Sequence, residues 1–231
     1  MNNRGIIIGE SDISTAIDPV FGIPEFHGFI WDRGVLTDLG EIFGSHFNIP
    51  YGINDRGEIV GATDVARDLT GHAFKFRDGL VTDLGTLPGD TSSAALGVNN
   101  HGQIVGTSSL AFGPQFGAPP VLTALCPCHA VIWESGRLTD LNTLIAPTSG
   151  WLLAQATEIN DRGQIVGNGF SNGSFDSRGF LLTPQDGEVS STSTTAGNAS
   201  SAAFPARASG TSAGAMHVIM VKGRPQIMRE Q

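Results

Sequence analysis

Cysteine is nearly absent from this chain: Cys126 and Cys128, in a C-P-C run, are the only two among 231 residues. With one residue between them they make at best a strained disulfide, and two ligands alone do not make a structural zinc site. The plainer reading is a pair of free thiols in a Pro-rich loop, and the cysteine count fixes no compartment. Charge is also sparse, at 15% of residues against about 25% in an average globular protein. What charge there is leans acidic, with 22 Asp and Glu against 13 Lys and Arg, a net −9. A nucleic-acid binder needs a basic face, so this balance argues against that partner. No run of about 18 apolar residues occurs, so no transmembrane helix is expected. The opening residues MNNRGIIIGE lack a basic stretch followed by a long apolar one, so they carry no signal peptide. There is no H-E-x-x-H, Walker loop or dinucleotide fingerprint. No catalytic residue, cofactor-binding residue or metal ligand is therefore assigned from motifs, and no cofactor is expected. No segment sustains an apolar period of 3.6, which excludes a long amphipathic helix.

Glycine, by contrast, is abundant, at 31 of 231 residues, where roughly 7% is usual. It falls at regular places, because the sequence repeats itself. A first submotif occurs four times, as NNRGIIIG (2–9), NDRGEIVG (54–61), NNHGQIVG (99–106) and NDRGQIVG (160–167). A second follows each, as HGFIWDRGVLTDLG (27–40), HAFKFRDGLVTDLG (72–85), HAVIWESGRLTDLN (129–142) and a degraded RGFLLTPQDGEV (178–189). His27 to Asp38, His72 to Asp83 and His129 to Asp140 keep one interval, 11 residues. The joint between the submotifs varies in length. Rigid spacing marks packed structure and variable spacing marks surface loops on one side.

Each repeat reads as four short strands. A short apolar run (YGIN 51–54, LGVN 96–99, TEIN 157–160) is strand a. N-x-x-G then makes a turn, the Asn accepting a backbone hydrogen bond and the Gly taking the left-handed position. The β-branched runs 58–63, 103–108 and 164–169 are strand b. Strand c covers 28–31, 73–76, 130–133 and 179–182, and strand d covers 35–39, 80–84 and 137–141. One such meander cannot hide both faces, so repeats must stack. Units of this size fit the four-strands-per-blade arithmetic of propellers. The expected fold is all-β: repeated antiparallel meanders, propeller-like, about four repeats over 1–48, 49–94, 95–154 and 155–189. Residues 190–214, rich in Ser, Thr, Ala and Gly, read as a linker, and 215–231 as a C-terminal segment with one extra strand in MHVIMVKG. The array looks incomplete, since strand a of the first repeat and the TDL strand of the fourth are missing.

The order (G/A)-I-N-x-x-G-x-I-V-G, then H-A-F-x-W, then T-D-L-G-T-L, clearest over 52–89, resembles the HAF-repeat family of bacterial and archaeal probable extracellular repeat proteins. The resemblance covers about residues 1–185. It implies a β-rich repeat fold and a secreted or cell-surface location, and it implies no catalytic residue. The fourth repeat departs from the pattern, with Arg178 in place of His and no TDL.

Several residue sets are candidates for function. The equivalent His27, His72, His129 and Asp38, Asp83, Asp140 read first as structural pairs joining strands c and d, and second as ligands converging on a metal. Trp31, Phe76, Trp133 and Leu182 share one position and read as packing between repeats rather than a sugar-stacking platform. Tyr51 and Trp151 are less constrained and read as surface aromatics. Gly9, Gly61, Gly106 and Gly167 sit within strands, where glycine marks a bulge or a close backbone approach. The G-x-S-x-G matches at 169–173 and 210–214 lack a strand–turn–helix context and read as chance. Glu10, Asp12, Asp64 and Asp68 are placed in b–c loops as an acidic cluster, solvated by default. The longest such loop, 107–128 with Phe112 and Phe116, is where binding would be built. The expected function is a non-enzymatic binding module taking a glycan or protein ligand at one rim. The alternatives are a polysaccharide-acting hydrolase or lyase, or a truncated repeat fragment without activity of its own.

Overall fold

A computed structural model describes residues 1–19, 22–45, 47–65, 70–110, 128–171, 177–184 and 216–220. The described residues form fifteen strands in four antiparallel sheets, with two short 3-10 turns, Leu141–Leu144 and Pro147–Ser149, as the only helical segments among them. Sheet 1 holds β1 (Ile7–Ile17), β2 (Pro24–Asp32) and β3 (Val35–Asp38). Sheet 2 holds β4 (Asn48–Ile53), β5 (Ile59–Asp64), β6 (Gly71–Arg77) and β7 (Leu80–Asp83). Sheet 3 holds β8 (Ser92–Val98), β9 (Ile104–Ser109), β10 (Cys128–Glu134) and β11 (Arg137–Asp140). Sheet 4 holds β12 (Trp151–Ile159), β13 (Ile165–Ser171), β14 (Arg178–Pro184) and β15 (Met216–Met220). Each sheet runs in chain order, one meander per repeat.

Local chemistry explains the meanders. The a–b turns close on a left-handed glycine, as at Gly57 and Gly102, both at φ 80°. The turn asparagine caps them: Asn54 Oδ1 accepts from the backbone N–H of Arg56 and of Glu58, each at 3.0 Å. The c–d turns have two residues between strands, Arg33-Gly34, Asp78-Gly79 and Ser135-Gly136, all with positive φ. Both central residues left-handed is the type I′ geometry whose twist matches flanking strands.

MHVIMVKG supplies the expected extra strand: β15 pairs along β14, Leu182 opposite Val218, and takes the place of the missing TDL strand. The fourth repeat thus runs past residue 189. Glu10 and Asp12 are not in a loop, because β1 runs on to Ile17, with an irregularity in its pairing between Asp12 and Ile17.

The sheets stack face to face. One core lies between sheets 3 and 4 and includes Val105, Ile132, Leu153, Ile165, Phe180 and Leu182. A second lies between sheets 2 and 3, with Val60, Ala73, Ile104, Val131 and Trp133. A smaller one, Phe26, Phe47 and Ile49, joins sheets 1 and 2, its two rings edge to face at 5.2 Å. Strand pleating sets a two-face rule. In strand b the first aliphatic (Ile104, Ile165) faces the preceding sheet and the second (Val60, Val105) faces the following one. Positions with no neighbouring sheet on their side are open. Ile7 is 38% exposed where Ile59, Ile104 and Ile165 are 1%, 3% and 0%, and Val166 is 41% exposed where Val60 and Val105 are 0%. The stack is a propeller-like array in which, among the described residues, no further sheet packs on the outer faces of sheets 1 and 4.

Candidate binding site

The four N-x-x-G turns meet at one end of the stack and line an open, largely polar pocket of about 270 Å³. Hydrogen bonds run from each turn to the next. Asn2 Nδ2 donates to the Asn54 carbonyl at 3.0 Å, Asn54 Nδ2 to the Asn99 carbonyl at 2.9 Å, and Asn99 Nδ2 to the Asn160 carbonyl at 3.0 Å. The following residues form a parallel ladder. The backbone N–H of Asn3 donates to Asp55 Oδ1 at 2.8 Å, that of Asp55 to Asn100 Oδ1 at 2.9 Å, and that of Asn100 to Asp161 Oδ1 at 2.7 Å. Neutral amide and carboxylate alternate, and the Asn100 amide donates to both carboxylates, Asp55 at 3.3 Å and Asp161 at 3.0 Å. These bonds hold both groups below the usual carboxylate range: the Asn3 side chain and backbone act first on Asp55, and the Asn100 side chain and backbone on Asp161. Sequence reading missed this ladder. Its signal was the alternation Asn3, Asp55, Asn100, Asp161 directly after each turn asparagine.

Beside the ladder, Glu58 is buried and bound by Asn54 Nδ2 at 2.6 Å, Arg56 at 2.9 Å and Arg77 at 3.3 Å. Burial pushes its carboxyl up, but the Asn54 and Arg56 hydrogen bonds and the two guanidinium charges outweigh it, and the net shift is downward. In sheet 3 Gln103 stands at this place and donates to Glu134 at 2.7 Å.

The repeated His and Asp meet as pairs within each sheet. Nδ1 lies 2.9 Å from the carboxylate in His27–Asp38 and His72–Asp83, and 3.0 Å in His129–Asp140. Each aspartate also accepts the backbone N–H two residues on, from Gly40, Gly85 and Asn142, at 2.8 Å in all three. The pair therefore fastens strand c to the turn that leaves strand d. Burial opposes ionisation of Asp38, yet the Gly40 N–H and His27 prevail and hold it below the usual range. Among the described residues no three His, Cys, Asp or Glu are grouped to hold a metal.

Further polar side chains clasp neighbouring sheets. Asn48 Oδ1 accepts from the Gly28 N–H at 2.9 Å and its Nδ2 donates to the Gly40 carbonyl at 2.9 Å. Ser93 does the same one sheet on, accepting from the Ala73 N–H at 2.9 Å and donating to the Gly85 carbonyl at 2.8 Å. Trp133 packs between sheets 2 and 3, and its Nε1 donates to the Leu84 carbonyl at 2.8 Å. Leu182 is likewise core and Phe76 half-buried, whereas Trp31, with no sheet before it, is 38% exposed.

Tyr51 and Trp151 are not free surface aromatics: both are half-buried, Tyr51 against the Phe26 cluster and Trp151 against the core between sheets 3 and 4. Burial, and secondarily the nearby Glu10, push the Tyr51 hydroxyl up to about 12. The acidic set does not form one loop cluster. Glu10 and Asp12 are exposed on β1, Asp64 is buried at the end of β5, and Asp68 lies outside the described residues. So do residues 111–127 of the long loop, the match at 210–214 and Cys126; the match at 169–173 begins on β13, with no helix after it among the described residues. Cys128 is disulfide-bonded, which corrects the free-thiol reading.

Compared with known proteins, the chain matches no family model, no curated protein and no solved structure.

Proposed function

We propose that the chain is a non-catalytic recognition module of the exported HAF-repeat type, which takes a protein or glycan ligand at the rim carrying the b–c connections. The observation behind this reading is a division of labour. The recurrent polar residues are spent on the scaffold: turn asparagines on the ladder, His and Asp on each other, Asn48 and Ser93 on neighbouring sheets. Variation is concentrated at the opposite end. Three b–c connections, 18–23, 65–70 and 172–177, share one length, while 110–127 is three times as long. A rigid frame with one enlarged loop is the usual arrangement for recognition.

The test pairs a glycan-array and surface-protein binding screen with a turnover assay on the same polysaccharides. The expected result is saturable binding without product, lost when 110–127 is replaced by the connection 65–70, with Tm unchanged. Product release from a bound polysaccharide would overturn the reading in favour of a hydrolase or lyase.

A further inference from the structure

We propose that the groove between the turns of sheets 3 and 4 binds a guanidinium group, from an arginine side chain or a small free guanidine, in the place that Arg56 fills between sheets 2 and 3. The two interfaces are built on equivalent residues, and the first shows the place occupied. Arg56, in the a–b turn of sheet 2, reaches over the next turn: a Cβ on Gly102 would meet its Nη2 at 2.7 Å. The same nitrogen donates to Glu58 at 2.9 Å, and Arg77, at the end of β6, donates to the other carboxylate oxygen at 3.3 Å. Two guanidinium groups about one buried carboxylate thus span the joint.

Between sheets 3 and 4 the third member is missing. Gln103 stands for Glu58, Glu134 for Arg77 and His101 for Arg56. Gln103 Nε2 donates to Glu134 Oε1 at 2.7 Å, so the link from strand b to strand c survives, with the carboxylate moved to strand c. His101 is exposed. Gly163, the counterpart of Gly102, has only the Pro184 ring near its Cβ position, at 3.1 Å. An open groove of about 400 Å³ is left there, among His101, Gln103, Glu134, Asp161, Arg162 and Pro184.

Its chemistry suits a guanidinium. A planar fork of N–H donors matches a carboxylate edge, which a compact ammonium does not, and Glu134 offers that edge half-buried. Asp161 adds a second negative charge to the wall. The Pro184 ring gives the methylene stem an apolar surface to lie on. Arg162 does not bar a cation, since two guanidinium groups already share Glu58. The groove lies at the end of the stack opposite the b–c connections, so it does not depend on the reading of that rim.

The test titrates the full, isotope-labelled chain with Nα-acetylarginine methylamide and follows amide chemical shifts. The expected result is saturable one-site binding below about 20 mM, with shifts confined to 101–103, 134–135 and 161–163. The citrulline analogue, similar in shape but uncharged, and the capped lysine should each bind at least about tenfold more weakly. His101→Arg supplies the third member from within the chain, so it should raise Tm and weaken binding at least about tenfold. Glu134→Gln should weaken binding as much without raising Tm. An acetylated Gly-Gly-Arg-Gly-Gly peptide that binds at least about threefold more tightly than the capped residue identifies a polypeptide as the source; equal or weaker binding identifies a small guanidine. The proposal is overturned by absence of saturation, by equal binding of either analogue, by shifts spread over the acidic surface, or by undiminished binding to His101→Arg.

Discussion

Sheets 1 and 2 carry nearly the same sequence through strand b, NNRGIIIG and NDRGEIVG, yet β5 is buried at all six positions while β1 is exposed or half-buried along its whole length. The difference is neighbours. β5 has strand a on one edge, strand c on the other and a sheet on each face. Among the described residues β1 has one paired edge, and none of its side chains joins a core cluster. A repeat motif therefore specifies a strand and its turn, while burial is conferred by what stacks on it. Repeat proteins follow this rule generally, with stability summed from units and nearest-neighbour interfaces.

Apolar truncation gives the widest contrast. Ile104→Ala removes a core side chain between sheets 2 and 3 and should cost about 3 kcal/mol. Ile7→Ala, at the same repeat position but exposed, should cost less than about 1 kcal/mol. Urea midpoints at constant m-value measure both; equal losses would mean that the first sheet is covered in solution. The strand glycines come next. Gly106→Ala sets a Cβ on the Ala94 carbonyl and should cost about 2–3 kcal/mol, against about 1 kcal/mol for Gly9→Ala, where only the Phe29 ring must give way.

The turn ladder offers a smaller contrast between its middle and its end. Asn99 caps its own turn and donates onward to Asn160, so Asn99→Ala should cost about 2 kcal/mol. Asn160 caps its turn and bonds Gln164, with no onward carbonyl among its bonds, and its Ala variant should cost about 1 kcal/mol. Thermal melts of the two single variants check this.

The smallest effects are electrostatic and differ in sign from one carboxyl group to another. Asp38 and Glu58 have carboxyl groups lowered by their partners. Their stabilisation is complete above the unfolded-state values near 4 and is lost as pH falls through the folded values. Glu10 is raised, by burial and then by Asp12, so it opposes folding once ionised. Its penalty develops above the unfolded value near 4.3 and is relieved on acidification. Glu58→Gln should flatten the acid limb of the Tm profile below about pH 4, while Glu10→Gln should raise Tm slightly at pH 7 and leave that limb alone. A Glu10→Gln variant with a lower neutral Tm would contradict the sign.

Much of the fold was legible because its signals are local. The N-x-x-G and x-G turns fix strand ends by backbone sterics, and an 11-residue interval places His72 and Asp83 on adjacent strands within reach of each other. What escaped was non-local. β15 pairs through its backbone and needs no TDL motif, so nothing in MHVIM announces its partner. The length of β1 was underestimated because its polar residues look loop-like, although an open edge tolerates Glu10 and Asp12 on a strand. The Asn–Asp ladder needed residues from four turns to be compared with one another rather than read singly. Tyr51 and Trp151 were misplaced because their burial comes from neighbouring sheets.

Native-state hydrogen exchange tests the stacking account most directly, since amides of β1, β5 and β9 are compared in one experiment. The account predicts that β5 and β9 exchange only through global unfolding, while β1 amides on the open edge exchange at least about a hundredfold faster through local opening. Equal protection of all three strands would contradict it.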